Sequence, residues 1–171
     1  MSFTVTNNLT IRKDYGDNQK FVKKANRTEV SNATLTFADS SALRKAIRAL
    51  QTSAYNTDED LSESTGPAKE YAKKMKAFVD TYNYTLESAG KGDSKEMKNA
   101  AKKLKRLTSQ YEDELSDAGI RLKKDGSMEI SSSSTVKSTA RYEKMFGSDS
   151  KYLMNLDSLA SQIRKHVDVQ L

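Results

Sequence analysis

KAFVDTYNYTLESAGKGDSKEMKNAAKKLKRLTSQYEDEL, residues 76–115, is the stretch whose reading decides the fold. Apolar residues recur in it at steps of three and four. Taken with the turns before it, Tyr71, Met75, Phe78, Val79, Tyr82 and Leu86 fall on one stripe of a helix running to about Ser88. Lys69, Lys73, Lys76, Asp80 and Glu87 fall opposite. GKGDS at 90–94 stops this helix and starts another. Asp93 or Ser94 can cap it, and Glu96 stands in capping-box spacing from Asp93. The second helix is expected to continue to about Asp117, with Met97, Ala100, Ala101, Leu104, Leu107, Tyr111 and Leu115 as its stripe. A short glycine-containing loop between two amphipathic helices predicts an antiparallel pair in which each stripe covers the other. Helices of this length make a rod of roughly 30 Å or more.

Working outward, DAGIRLKKDGSMEIS at 117–131 breaks the helical period. Gly119 ends the helix. Ile120 and Leu122, then Met128 and Ile130, alternate about an Asp-Gly pair, which predicts a β-hairpin. Such a hairpin is marginal alone and must rest on the helices or pair with another strand. SSSST then caps a helix carrying Val136, Ala140, Tyr142, Met145 and Phe146. Gly147 to Asp149 break it, and a last helix carries Leu153, Leu156, Leu159, Ala160, Ile163 and Val167.

Upstream, Pro67 after Thr65-Gly66 suits a helix entrance. NTDEDLSESTG before it reads as an acidic linker. Leu43, Ala46, Ile47 and Leu50 mark a first helix, with an N-cap expected among Asp39, Ser40 and Ser41. In residues 1–38, Phe3 and Val5, Leu9 and Ile11, and Ala33, Leu35 and Phe37 alternate with polar residues, which is strand spacing. The expected architecture is therefore mainly α: an elongated antiparallel helical hairpin or bundle, residues 39–171, with a small β-hairpin and a short strand-like N-terminal extension, residues 1–38.

Composition narrows the chemistry. Of 171 residues, 36% are apolar and 30% charged, which suits an elongated helical protein with a thin interior. The net charge of +6 tolerates an acidic partner without demanding one. With no Cys there is neither a disulfide framework nor a thiolate metal site. No run is long enough to span a membrane, and the first residues hold no apolar signal core. His166, the single histidine, stands near a helix end beside Arg164 and Lys165 and reads as a surface residue. Asp58, Glu59, Asp60 and Glu63 lack the pattern of a calcium loop, and Glu112, Asp113, Glu114 and Asp117 lie on a helix where neighbouring acids diverge. No nucleophile, base and acid combine into a catalytic set, so no enzyme, metal or cofactor is expected. Two groups remain. Tyr71, Phe78, Tyr82, Leu104, Tyr111 and Leu115 form the stripe that is either core or interface. Lys95, Lys98, Lys102, Lys105 and Arg106 form a basic face that could track a phosphate backbone but carries no aromatic residue to stack a base.

Four segments in order resemble the C-terminal region of the bacterial flagellar filament cap protein family, hook-associated protein 2. KAFVDTYNYTLES at 76–88 is similar to its F-V-x-x-Y-N phrase. GDSKEMKNAAKKLKRL at 92–107 is similar to the Gly-Asp and amphipathic helix that follow. AGIRLKKDGSMEIS at 118–131 resembles its G-I-x-x-x-x-D-G-x-L-x-[IL] stretch, with Met128 where the family often has Leu. YEKMFGSDSKYLMNLDSLASQIRKHV at 142–167 resembles its closing pattern. The resemblance implies a non-enzymatic structural protein whose helices form the leg of a cap subunit. Such a protein associates with itself, flagellin or other flagellar axial proteins, and is exported without a classical signal peptide to the flagellum. Cap proteins also carry large β-rich head domains, for which the roughly 70 residues before the match leave no room. Two other readings stay open at this point. One is a cytoplasmic helical protein binding nucleic acid through the basic face. The other is a small helical export chaperone.

Overall fold

The computed structural model describes Arg27 and residues 30–52, 66–131 and 144–167, with residues 66–71 described by their backbone alone. The chain divides into two compact units, Met1–Ser31 and Asn32–Leu171. The second unit is mainly helical with one small antiparallel sheet. Among the described residues its elements are α1 (Asn32–Gln51), α2 (Gly66–Gly90), α3 (Lys95–Ser109), α4 (Glu112–Asp117), β1 (Ile120–Leu122), β2 (Met128–Ile130) and α5 (Lys151–Lys165).

Helix α1 packs on α2 and α5, and α3 packs on the same two, so four helices close a ring around one core. Neighbours run antiparallel. The Asn32 side chain at the start of α1 donates to the Lys91 carbonyl just past the end of α2, at 3.2 Å. Phe37, early in α1, lies 5.5 Å from the guanidinium of Arg164, late in α5. Seven residues along, Arg44 makes a two-pronged ion pair with Asp157 of α5, at 2.8 and 3.0 Å. Thr108 near the end of α3 meets Tyr152 near the start of α5. The stripes of α2 and α3 thus do not cover each other alone. Leu43, Ile47 and Leu50 from α1 and Leu153, Leu156, Ala160 and Ile163 from α5 enter the same core. The reason is area: two single stripes leave their outer flanks wet, and a second helical pair removes that surface from water.

Three expectations are corrected. Ala33, Leu35 and Phe37 are not in a strand, because α1 begins at Asn32. The core-facing residues there are Thr36, Asp39 and Ser40, which continue the line of Leu43, Ala46, Ile47 and Leu50 one and two turns upstream. Their polarity disguises the helical period. Thr36 and Ser40 answer part of the cost of burial locally, donating to the carbonyls of Asn32 (2.7 Å) and Phe37 (3.1 Å). The cap expected at Asp39 to Ser41 therefore falls in the helix interior. Second, α3 does not run unbroken to Asp117. It ends at Ser109, the Tyr111 N–H bonds the Thr108 carbonyl at 3.0 Å, and α4 resumes at Glu112. The break turns the Tyr111 ring onto Tyr152, 5.0 Å between centroids, while Leu115 stays fully buried. Third, the Asp93–Glu96 spacing does not form a capping box: of the two expected caps it is Ser94 that serves α3, its Oγ accepting from the Met97 N–H at 3.1 Å. Ser150 caps α5 in the same way through Leu153. Phe3, Val5, Leu9 and Ile11, residues 56–65 of the acidic linker, and Val136, Ala140 and Tyr142 lie outside the described residues. Met145 and Phe146, just beyond the last of these, are buried, with the Phe146 ring edge-on to Phe78 at 5.9 Å.

Two tyrosines bring hydroxyls into this core. Tyr82 is fully buried and donates to the Gly126 carbonyl at 3.2 Å; the Tyr152 hydroxyl lies 3.3 Å from Thr108 Oγ1. Burial pushes the Tyr82 phenol up to about 12, with the Thr108 hydroxyl working against the rise. Burial also holds the Tyr152 phenol well above its usual range. Both phenols are easier to ionise in the unfolded chain than in the folded one, so the contribution is whole below pH about 10 and is lost as pH rises through the folded value. The expected loss from Tyr82 alone is about 2–3 kcal/mol. Alkaline titration should show the phenolate absorbance of these two side chains appearing together with loss of helical circular dichroism.

Candidate interaction surface

The hairpin is where sequence and packing meet most specifically. Ile120 pairs with Ile130, Arg121 with Glu129 and Leu122 with Met128. Beyond them the Lys123 N–H bonds the Ser127 carbonyl, and the Gly126 N–H returns to the Lys123 carbonyl, each at 2.8 Å. Lys124, Asp125 and Gly126 form a three-residue loop, with Gly126 at φ +85° closing it. Asp125 braces the loop by accepting from the Ser127 N–H (2.9 Å) and hydroxyl (2.6 Å), which holds its carboxyl below the usual range. A side chain at Gly126 would be strained at that φ and would also meet the Lys105 stem at 2.8 Å. The loop is therefore seated directly on α3.

Helix α2 holds the other side. Asn83 Nδ2 donates to the Met128 carbonyl and Asn83 Oδ1 accepts from the Met128 N–H, both at 2.8 Å. The amide answers β2 as a neighbouring strand would. Tyr82, one residue back, takes the Gly126 carbonyl. Met128 and Ile120 are buried beneath the hairpin, while Arg121 and Lys123 pair with Glu129 on its outer face, Lys123 at 2.7 Å.

Of the stripe residues, Phe78, Tyr82, Leu104 and Leu115 are fully buried, and Tyr111 is half-buried against Tyr152. They are core rather than interface. The side chain of Tyr71 lies outside the described residues. Lys95, Lys98, Lys102, Lys105 and Arg106 are all exposed on α3, and Lys103 extends the same face. Among the described residues none of these six cations makes an ion pair. Glu112, Asp113 and Glu114 are exposed at the start of α4, and Asp117 is half-buried at its end. Asp58, Glu59, Asp60 and Glu63 lie outside the described residues. His166 is exposed at the C-terminal end of α5. Among the described residues no three of His, Asp and Glu gather to hold a metal ion, and no described helix is long and apolar enough to cross a membrane. Among the described residues of the second unit, the exposed large apolar side chains Phe37, Ile130 and Met154 stand on three different elements. What this surface offers a partner is mostly charge.

Asn83 is the residue that sequence reasoning missed. Its only signal was its place beside Tyr82 in the F-V-x-x-Y-N phrase. Comparison with protein-family models, curated proteins and solved structures finds no match for this chain.

Proposed function

We propose that this chain is a non-enzymatic assembly protein of the flagellar cap kind, working by association with copies of itself or with flagellar axial proteins, and acting outside the cell at the filament. One observation carries the reading. The separate phrases on which the resemblance rests hold one another: Tyr82 and Asn83 of F-V-x-x-Y-N bind Gly126 and Met128 of the D-G-x-M-x-I stretch, 44 and 45 residues away. Chance likeness of short helical segments gives no reason for the matching positions to be bonded partners. Phe78 and Tyr82 of the aromatic stripe are spent on the chain's own core, which leaves partners to the remaining surface.

The test is size-exclusion chromatography with light scattering over a range of protein concentrations, with and without flagellin from the same source. A discrete oligomer, or a shift when flagellin is added, is the expected result. A monomer indifferent to flagellin overturns the reading.

A further inference from the structure

Charge is distributed differently on α3 than on its neighbours. Helix α2 sets opposite charges four residues apart: Lys76 with Asp80 at 3.6 Å, and Glu87 with Lys91, just beyond the helix end, at 2.7 Å. Arg44 of α1 finds Asp157 of α5. Helix α3 carries six cations and the single acid Glu96. Lys98 and Lys102, and Lys102 and Arg106, stand four apart; Lys95 and Lys98, Lys102 and Lys105, and Lys103 and Arg106 stand three apart. Each such like-charge pair opposes the helix. Lys95 also opens α3 at the end where the helix dipole disfavours a cation. Among the described residues none of these cations forms an ion pair, and Lys105 is drawn only to the nearby Asp125 carboxylate of the hairpin loop. The next helix inverts the pattern, with Glu112, Asp113 and Glu114 exposed, consecutive, and without an ion pair among the described residues.

We infer that the basic face of α3 is a contact for a second copy of this chain, received by Glu112, Asp113 and Glu114 of that copy's α4. Between residues 95 and 114 six cations, with the single acid Glu96 among them, precede three consecutive acids, so the segment is complementary to itself when two copies lie antiparallel. Each copy then gives its basic part to the other's acidic part, the arrangement of a two-fold isologous interface. Nucleic acid fits the face less well. No aromatic residue stands among the six cations to stack a base, and the adjoining carboxylates repel phosphate. The inference rests on the self-association proposed above and names its surface.

The experiment uses the full chain and two triple variants, K98E/K102E/R106E and E112K/D113K/E114K, with folding checked by circular dichroism. K98Q/K102Q/R106Q and E112Q/D113Q/E114Q, which remove charge without reversing it, serve if a reversal disturbs folding. Sedimentation should show wild-type association weakening as salt is raised from 0.1 M toward 1 M, as the screening length falls from about 10 to about 3 Å. Each reversed variant alone should associate on the order of tenfold more weakly, and the equimolar mixture of the two should recover association. Variants that associate like wild type, or a mixture that does not recover, overturn this contact and leave the cap-like reading standing. A wild type that stays monomeric yet shifts with flagellin does the same. A wild type that is monomeric and indifferent to flagellin removes both. Tight, steeply salt-dependent binding of a short DNA duplex by the wild type, lost in K98Q/K102Q/R106Q while self-association is kept, assigns the face to nucleic acid and overturns the inference.

Discussion

Replacing Phe78 by alanine lowers the free energy of unfolding by about 3–5 kcal/mol, the range expected when a fully buried aromatic ring is removed from a packed core. The ring is fully buried and sits edge-on to Phe146 at 5.9 Å. That partner arrives from the segment before α5, so the substitution loosens two sequence-distant elements at once. The cavity cannot close by a local shift, because α1, α3 and α5 are already fixed on one another by Arg44–Asp157 and by Thr108–Tyr152. Urea titration gives the value. Phe78→Leu, which keeps most of the volume, should lose much less. A loss near that of a surface substitution for Phe78→Ala would mean that the ring does not pack in the core.

Asn83→Ala lowers stability by about 2–4 kcal/mol, although it removes no apolar surface of consequence. Two hydrogen bonds of 2.8 Å disappear, and the amide and carbonyl of Met128 are left facing a helix without a partner. The substitution that decides the matter is Asn83→Asp. It is nearly isosteric and still accepts from the Met128 N–H, but it cannot donate to the carbonyl and sets two oxygens against each other. If the amide acts as described, Asp is tolerated no better than Ala. If Asn83 merely fills space, Asp behaves like the wild type. Denaturant midpoints of the three proteins separate the two cases.

Much of the bundle was legible because its apolar residues keep the helical period without interruption. The stripes of α2, α3 and α5 and the alternation about Asp125-Gly126 needed nothing more. The first two turns of α1 were not legible, since Thr36, Asp39 and Ser40 occupy the core positions and only the backbone shows that they continue the line of Leu43 and Ile47. Nor could a stripe alone reveal whether Phe78 and Tyr82 meet a partner or their own chain. That depended on α1 and α5 arriving on the same core. Asn83 was hidden for a further reason. A lone asparagine on a helix reads as surface, and its partner is 45 residues distant. The basic face of α3 was visible in the sequence, but the absence of ion pairs to it within the described chain was not.

The amide of Asn83 also acts as a gauge. Side chains alternate along a strand, so sliding β2 by one residue would turn Met128 out to water and bring Ser127 or Glu129 beneath the hairpin. The same slide would carry away the one N–H and C=O pair that Asn83 can reach. The loop closed by Gly126 sets the alignment from one end of these short strands, and Asn83 on α2 fixes it from the side. Hydrogen exchange at the Met128 amide accordingly follows opening of the bundle rather than fraying of the two strands.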